Sequence, residues 1–205
     1  MSSFFEPPPP PPEIPPEPPR PPWAGPDEDV FGRTVALNLM IGRSAKAGLW
    51  IPAATVYANG FEFDIELRYR FDDEEFASEH WHPFHPPFEP TMRRQRRPEE
   101  GLSPSLLRWG IQFSDGRKAA NVGRGRFPAP DESPEGPVLW PRGGHGGGDG
   151  GWSQGYWVWP LPPEGPLAFL SEWPVADIPE TRTEIDSALL LEAAADAVVL
   201  WPENE

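Results

Sequence analysis

Three of the four histidines in the chain, His80, His82 and His85, fall within one short segment that also carries Glu79. Neutral imidazole binds zinc, copper or nickel, and two or three histidines with a carboxylate can complete such a site. Pro83 and the prolines that follow make the segment irregular, so a closed site needs a further ligand from elsewhere in the chain. The segment predicts either a divalent transition-metal site or a surface loop that packs through its aromatic residues.

The glycine-rich residues 143–151 form a second segment with candidate binding residues. The segment lacks the Gly-Lys-Ser/Thr ending of a P-loop and the GxGxxG spacing of a dinucleotide-binding turn, so it does not predict a phosphate cradle. It is typical of a hairpin tip or a lid with ligand-contacting side chains at its rim. The predicted ligand- or partner-binding residues at this rim are Trp140, Arg142, His145, Asp149 and Trp152.

Motifs for covalent or hydrolytic catalysis are missing from the sequence. The chain has no cysteine, which excludes disulfides, thiolate zinc sites and cysteine nucleophiles, and it has neither a GxSxG nor an HExxH motif. A glycosidase pair cannot be recognised among 32 carboxylates, because their separation depends on the fold. We therefore expect a non-catalytic binding or accessory protein without a cofactor. The alternative is a metal-dependent or carbohydrate-handling enzyme that uses His80, His82 and His85.

The net charge of −15 restricts the kinds of partner. Such an acidic chain should be repelled by nucleic acid and by anionic lipid. The basic residues 93–97 form one short run, which is interpreted as intramolecular charge balance or as a contact for an acidic partner. No apolar run approaches the roughly 20 residues of a membrane span, and a cytoplasmic location is expected.

Residues 1–29 are predicted to be a disordered proline-rich tail, since half of the first 26 residues are proline. The run has the PxxP spacing of ligands that dock in aromatic grooves as polyproline II helices. The tail is interpreted as a solvated spacer, with a protein partner as the alternative. A single domain is predicted over residues 30–202.

The clearest strand of this domain follows Asn59-Gly60, a dipeptide that favours the positive φ angles of a tight hairpin. Over residues 61–70, apolar and polar residues alternate, as in a strand with one buried and one solvated face. The side chains predicted to be buried are Phe61, Phe63, Ile65, Leu67 and Tyr69. Those predicted to face solvent are Glu62, Asp64, Glu66, Arg68 and Arg70.

The remaining pattern predicts a mainly β fold. Further strands are expected at residues 35–44, 47–57, 106–113, 117–122, 138–140, 156–161 and 167–173. Long loops are expected at residues 72–104 and 142–152. Thr181 and Glu184 have the spacing of a capping box, and residues 185–197 predict one C-terminal helix. Together these elements predict a two-sheet antiparallel sandwich, or a flattened barrel, with one C-terminal helix.

The chain has ten tryptophans, several of them close to the glycine-rich run. Alternation places Trp157 and Trp159 on one face of a strand, with Tyr156 and Val158 on the other. Trp157 and Trp159 are interpreted as core, and Trp140 and Trp152 as the rim of the glycine-rich loop. If exposed, such tryptophans could stack on sugars or hold a proline-rich peptide.

Several segments together resemble a family of uncharacterised actinobacterial proteins. They are NGFEF at residues 59–63, LRWGIQFSDGRKAANVG at 107–123, PRGGHGGGDGGW at 141–152, and YWVWPLPPEGPLAFLSEWPVADIPETR at 156–182. The resemblance covers roughly residues 30–202 and implies one intact domain. It implies no activity, cofactor or catalytic residue.

Overall fold

The computed structural model describes residues 20–70, 102, 104–122, 132, 134–146 and 151–201. These residues form eleven strands and one α-helix. In chain order they are β1 Val30–Phe31, β2 Arg33–Arg43, β3 Ala47–Tyr57, β4 Gly60–Tyr69, β5 Arg108–Gln112, β6 Lys118–Ala120, β7 Val138–Gly146, β8 Gly151–Trp159, β9 Pro166–Trp173, β10 Ile178–Asp186, α1 Ala188–Ala195 and β11 Val198–Val199. A 3-10 turn, Pro174–Ala176, joins β9 to β10.

The strands form two main antiparallel sheets and one short ribbon. The five-stranded sheet has the order β2-β3-β4-β8-β7, the four-stranded sheet has the order β10-β9-β5-β6, and β1 pairs with β11. Neither main sheet closes into a barrel within the described residues. The predicted β-sandwich with one helix near the C-terminus is confirmed.

The predicted alternation of buried and solvent-facing side chains in β4 is confirmed. The side chains of Phe61, Phe63, Ile65 and Leu67 are at most 3% exposed and lie in the core between the sheets. Full burial of each such side chain contributes roughly 1.5–3 kcal/mol. The opposite face of β4 carries Glu62, which is partly exposed.

Aromatic side chains connect the two sheets. The ring of Phe63 meets those of Trp109 and Phe169 edge to face, with centroid distances of 5.6 and 5.5 Å. The indole nitrogen of Trp109 donates a hydrogen bond of 3.1 Å to the Tyr156 hydroxyl, so this buried polar pair is satisfied.

The predicted start of the helix is wrong. Thr181 and Glu184 belong to β10, where residue 183 pairs with Phe169 of β9. The strand ladder prevails over the capping-box spacing, since that spacing involves only two residues. The helix begins at Ala188, whose amide donates to the Asp186 carboxylate at 3.0 Å.

The predicted loop at residues 142–152 is also wrong for most of its length. Strand β7 continues to Gly146 and β8 begins at Gly151, with Arg142 paired to Gly155 and Gly146 paired to Trp152. A bulge at Gly143 absorbs one residue between these pairs. The glycines at residues 143, 144 and 146 therefore do not end β7, because this part of the strand pairs with β8.

Residues 20–29, here called the strap, cross the outer face of the five-stranded sheet. Trp23 is only 3% exposed, and its main-chain oxygen accepts a hydrogen bond from Trp157 Nε1 at 3.0 Å. The Asn59 amide donates to the main-chain oxygens of Pro22 and Gly25 at 2.9 and 3.0 Å. The prediction of a disordered tail is therefore wrong for residues 20–29.

The strap also explains why the predicted orientation of β8 is reversed. Tyr156 and Val158 face the core beside Phe63 and Phe61, and Trp157 lies on the outer face opposite Glu62. Trp157 is nevertheless fully buried, because the strap covers it. Strand β8 is thus buried on both faces at this point.

Several predictions concern residues outside the described part of the chain. These are the tail before Arg20, the histidine segment, the basic run at residues 93–97 and most of the predicted loop at 72–104. No helix among the described residues has the length and apolar character needed to cross a membrane.

Candidate functional site

A polar cleft of about 270 Å³ opens on the outer face of the five-stranded sheet. It is called the outer cleft below. Strands β3, β4, β7 and β8 all contribute to it. Its lining includes Thr55, Glu62, Asp64, Arg142, Gly143 and Gly155.

The strand register sets Asp64, Gly155 and Arg142 side by side across three strands. Asp64 pairs with Gly155 between β4 and β8, and Arg142 pairs with the same glycine between β7 and β8. A Cβ atom at Gly155 would lie 3.0 Å from Asp64 Oδ1 and 3.2 Å from the main-chain oxygen of Arg142. Because Gly155 has no side chain, the space between Asp64 and Arg142 stays open at this position.

Arg142 is held by an ion pair with Glu62 on the far side of β8. The Arg142 Nη1 atom lies 2.8 Å from Glu62 Oε1, with the two side chains 37% and 27% exposed. The contact is not an aligned hydrogen bond, since Glu62 Oε1 is buried and accepts none within the described residues. The other carboxylate oxygen, Oε2, accepts from the Tyr57 hydroxyl at 3.3 Å. Glu62 thus positions Arg142 and neutralises it.

The surroundings of Tyr57, including Glu62 and Arg142, change the pKa of its hydroxyl. Burial raises its pKa above the ordinary value, and the charge of Glu62 and the hydrogen bond to Glu62 raise it further. Arg142 acts in the opposite direction. Tyr57 therefore remains a neutral hydrogen-bond donor at physiological pH.

Asp64 is the acid of the outer cleft that lacks a counter-charge. Its side chain is exposed, and within the described residues it forms neither an ion pair nor a hydrogen bond. With Arg142 neutralised by Glu62, the outer cleft carries a net charge of about −1. A positively charged group is the complementary ligand.

Trp140 lies on the same side of the sheet as the outer cleft, although it is not one of its lining residues. It lies two residues before Arg142 on β7, on the same face, and is 38% exposed. Its cross-strand neighbour is Trp157, the residue that the strap covers. The strap borders the outer cleft as well, since a Cβ at Gly25 would lie 3.2 Å from Arg142 Nη1.

Of the five residues predicted at the glycine-loop rim, the structure brings two together on this face, Trp140 and Arg142. Trp152 lies on the opposite face, pairs with Leu67 and packs against the core, so it does not contribute to the rim. The backbone of His145 belongs to β7 and pairs with Ser153. Asp149 lies outside the described residues.

Sequence reasoning missed Glu62, Asp64 and Tyr57 as site residues. The alternation in β4 correctly predicts that Glu62 and Asp64 point away from the core. It does not show that Arg142, which is far away in sequence, lies across from them, because that depends on the order β4-β8-β7.

A second cleft, of about 610 Å³, lies on the outer face of the four-stranded sheet. Its floor includes the small or apolar residues Gly110, Ala120 and Leu170. Arg108 and Glu172 close one side with an ion pair of 2.6 Å, at 23% and 31% exposure. The Arg108–Glu172 pair is neutral, and Lys118 and Glu180 add opposite charges, so this lining carries no net charge, whereas the outer cleft keeps the charge of Asp64.

The predicted metal site at His80, His82 and His85 falls outside the described residues. Among the residues described, no group of three or more His, Cys, Asp or Glu side chains is arranged to hold a metal ion.

Comparison of the chain with protein-family models and with curated proteins gave no match. The resemblance to actinobacterial proteins thus remains a prediction, and a function has to be inferred from the residues of the clefts.

Proposed function

We propose that this protein is a non-catalytic binding module that holds an ammonium or guanidinium group in the outer cleft. Such a group is carried by a lysine or arginine of a partner protein, or by a small amine. The observation that supports the proposal is the exposed carboxylate of Asp64, which has no partner within the described residues, beside the neutral Arg142–Glu62 pair.

The chemistry of the outer cleft favours a cation over the other ligand classes. A hydrogen bond between a carboxylate and an ammonium or guanidinium is roughly twice as strong as one between neutral groups. An anion would gain from Arg142 only by competing with Glu62, which already lies 2.8 Å away. The outer cleft therefore favours a positive charge at Asp64.

The net charge of the chain supports the same ligand. The net charge of −15 attracts basic ligands over a longer range and increases their rate of association. Ionic strength should therefore weaken binding.

The proposal is tested by titrating the protein with arginine amide, lysine amide and spermidine at low salt, followed by calorimetry and amide chemical shifts. Glucose and acetate serve as neutral and anionic comparators. We expect the cations to bind, with shifts at Asp64 and Gly155, and binding to weaken as salt shortens the Debye length below about 10 Å.

The decisive variant is Asp64→Asn, which removes the charge and keeps the shape. It should weaken binding of arginine amide about tenfold. The matched control is Glu192→Gln on α1, another exposed carboxylate without an ion pair in the described structure. Equal binding by the Asp64→Asn protein and the unaltered protein would refute the proposal. Glucose binding without cation binding would favour a carbohydrate ligand in its place.

A further measurement distinguishes a lysine-rich partner protein from a small amine. A partner protein contacts surface beyond the outer cleft, so its binding should depend on residues that arginine amide does not touch. Spermidine binding as tight as that of any basic peptide would identify the small amine as the ligand.

A further inference from the structure

The ribbon formed by β1 and β11 exposes an unusual amount of apolar surface. Phe31 is 64% exposed, Val198 57% and Val199 53%, and Trp201, two residues after β11, is 70% exposed. Phe31 pairs with Val198 and residue 30 pairs with Val199, so both faces of the ribbon carry apolar side chains. Contiguous apolar side chains at a protein surface are typical of interaction sites.

One edge of the ribbon is also open. Within the described residues the ribbon contains only these two strands. The Val30 amide of β1 already donates to the Asp27 main-chain oxygen at 3.3 Å, so the row of main-chain groups without a partner strand that can accept another strand lies on β11. Such a row is a template for a further strand, which would gain main-chain hydrogen bonds together with side-chain contacts.

Acidic residues surround this apolar surface. Asp27, Glu28 and Asp29 directly precede β1, Asp196 lies shortly before β11, and all four are exposed. Among the described residues, Glu28 forms one ion pair, a long contact of 4.0 Å with Arg20. Arg33 follows β1 and is also exposed, which leaves the surroundings of the ribbon clearly negative.

The chain beside the ribbon packs near the outer cleft. A Cβ at Gly32 would lie 2.7 Å from the Thr55 methyl group and 2.9 Å from the Tyr57 ring, so the chain beside the ribbon presses directly on β3. Thr55 lines the outer cleft, and Tyr57 binds the Glu62 carboxylate. The chain beside the ribbon therefore lies next to residues of the outer cleft.

We infer that the ribbon binds an extended segment of a partner protein in which basic and apolar residues alternate. The apolar side chains would cover Phe31 and Val198, the basic ones would meet the acids around the ribbon, and the main chain would add a strand to its edge. The inference rests on the proposed function in one respect, namely that the partner is basic. A second copy of this chain fits less well, because a two-fold contact would bring the same acids against each other.

The test uses a fluorescent, end-capped peptide of alternating lysine and valine, followed by anisotropy. Peptides of alternating glutamate and valine, and of lysine and serine, serve as comparators. We expect the lysine-valine peptide to bind most tightly, and Trp201→Ser and Val198→Ser to weaken it about tenfold. Leu102→Ser is the matched control, since Leu102 is 50% exposed and lines the cleft on the other sheet.

Three results would overturn the inference. The first is unchanged peptide binding in the Trp201→Ser protein, and the second is equal binding of the glutamate-valine peptide. The third is a concentration-dependent dimer that Trp201→Ser abolishes, which would identify the ribbon as a contact between copies. Arginine amide separates this inference from the proposed function: its binding should persist in the ribbon variants and weaken only in the Asp64→Asn protein.

Discussion

The indole nitrogen of Trp157 donates a hydrogen bond of 3.0 Å to the main-chain oxygen of Trp23, 134 residues earlier in the chain. Trp157 lies on the outer face of the five-stranded sheet and would meet water without this contact. The strap therefore completes the packing of the sheet on the side that faces away from the core.

Replacing Trp23 by alanine should lower the free energy of unfolding by about 3 kcal/mol, because it empties a buried site against Trp157. Urea denaturation followed by tryptophan fluorescence measures the change. Trp201→Ala is the control, since Trp201 is 70% exposed, and its effect should stay below about 0.5 kcal/mol. Similar losses in both variants would contradict the role given to the strap.

Gly60→Ala should be among the most damaging single changes in the chain. A Cβ at Gly60 would lie 2.3 Å from the main-chain oxygen of Val158 and 2.7 Å from the Trp157 ring. Because one obstacle is backbone, we expect a loss of about 3 kcal/mol. Gly48→Ala adds the same methyl group on β3, where nothing lies within 4 Å, so it should be nearly neutral. Thermal denaturation of the two variants measures both effects. The reverse order of stabilities would count against the register of β4 and β8.

Arg142→Ala should destabilise the protein by about 1 kcal/mol, because it leaves the partly buried Glu62 without its counter-charge. The double variant with Glu62→Gln should recover part of this loss, which a double-mutant cycle measures. Arg182→Ala removes a more exposed ion pair, with Glu184 at 2.8 Å, and should cost less. Strict additivity of the two changes at Arg142 and Glu62 would show that the pair contributes nothing.

Alkaline pH should destabilise the protein through its tyrosines. Burial, followed by the charge of Glu62, raises the pKa of Tyr57, and burial also raises the pKa of Tyr69. Because these pKa values are higher in the folded than in the unfolded chain, the stabilisation is complete below about pH 10. It is lost as the pH rises through the folded-state values.

Ultraviolet titration of tyrosinate measures this directly. Tyr57→Phe should remove one group with a raised pKa and make the decline of stability above about pH 10 less steep. A folded protein whose three tyrosines all titrate at the ordinary value would contradict this expectation.

The sequence predicts the centre of the fold well where its pattern is local. Asn59-Gly60 and the alternation that follows locate the hairpin of β3 and β4, because a strand with one solvated face has a period of two. The predicted turn itself is wrong by one residue: Tyr57 pairs with Gly60, so Ala58 and Asn59 form the turn, and neither Asn59 nor Gly60 has a positive φ. The same rule fails for Trp157, since a strand buried on both faces loses its alternation. It fails again at Thr181, where two residues with helix-cap spacing lie inside a strand.

The candidate site is less predictable because it depends on contacts between distant strands. Side-chain direction in β4 follows from its own residues, so the exposure of Asp64 could be predicted. Its neighbour Arg142 comes from β7, and only the insertion of β8 between the two strands sets their separation. The strap is not predicted, because it lies in a proline-rich segment whose composition is typical of a disordered tail. The buried Trp23 that anchors it has no pattern of neighbours that would indicate burial.

Asn59 serves two purposes at once, as part of the tight turn before β4 and as the donor that holds Pro22 and Gly25. The strap uses that hairpin as its docking site, and the hydrogen bonds that hold it at Asn59 and Trp157 are not part of the main-chain pairing of the two main sheets. In native-state hydrogen exchange, the Trp157 indole proton should therefore exchange through a smaller opening than the amides of β4. We therefore expect the segment that covers the sheet to open before the hairpin on which it docks.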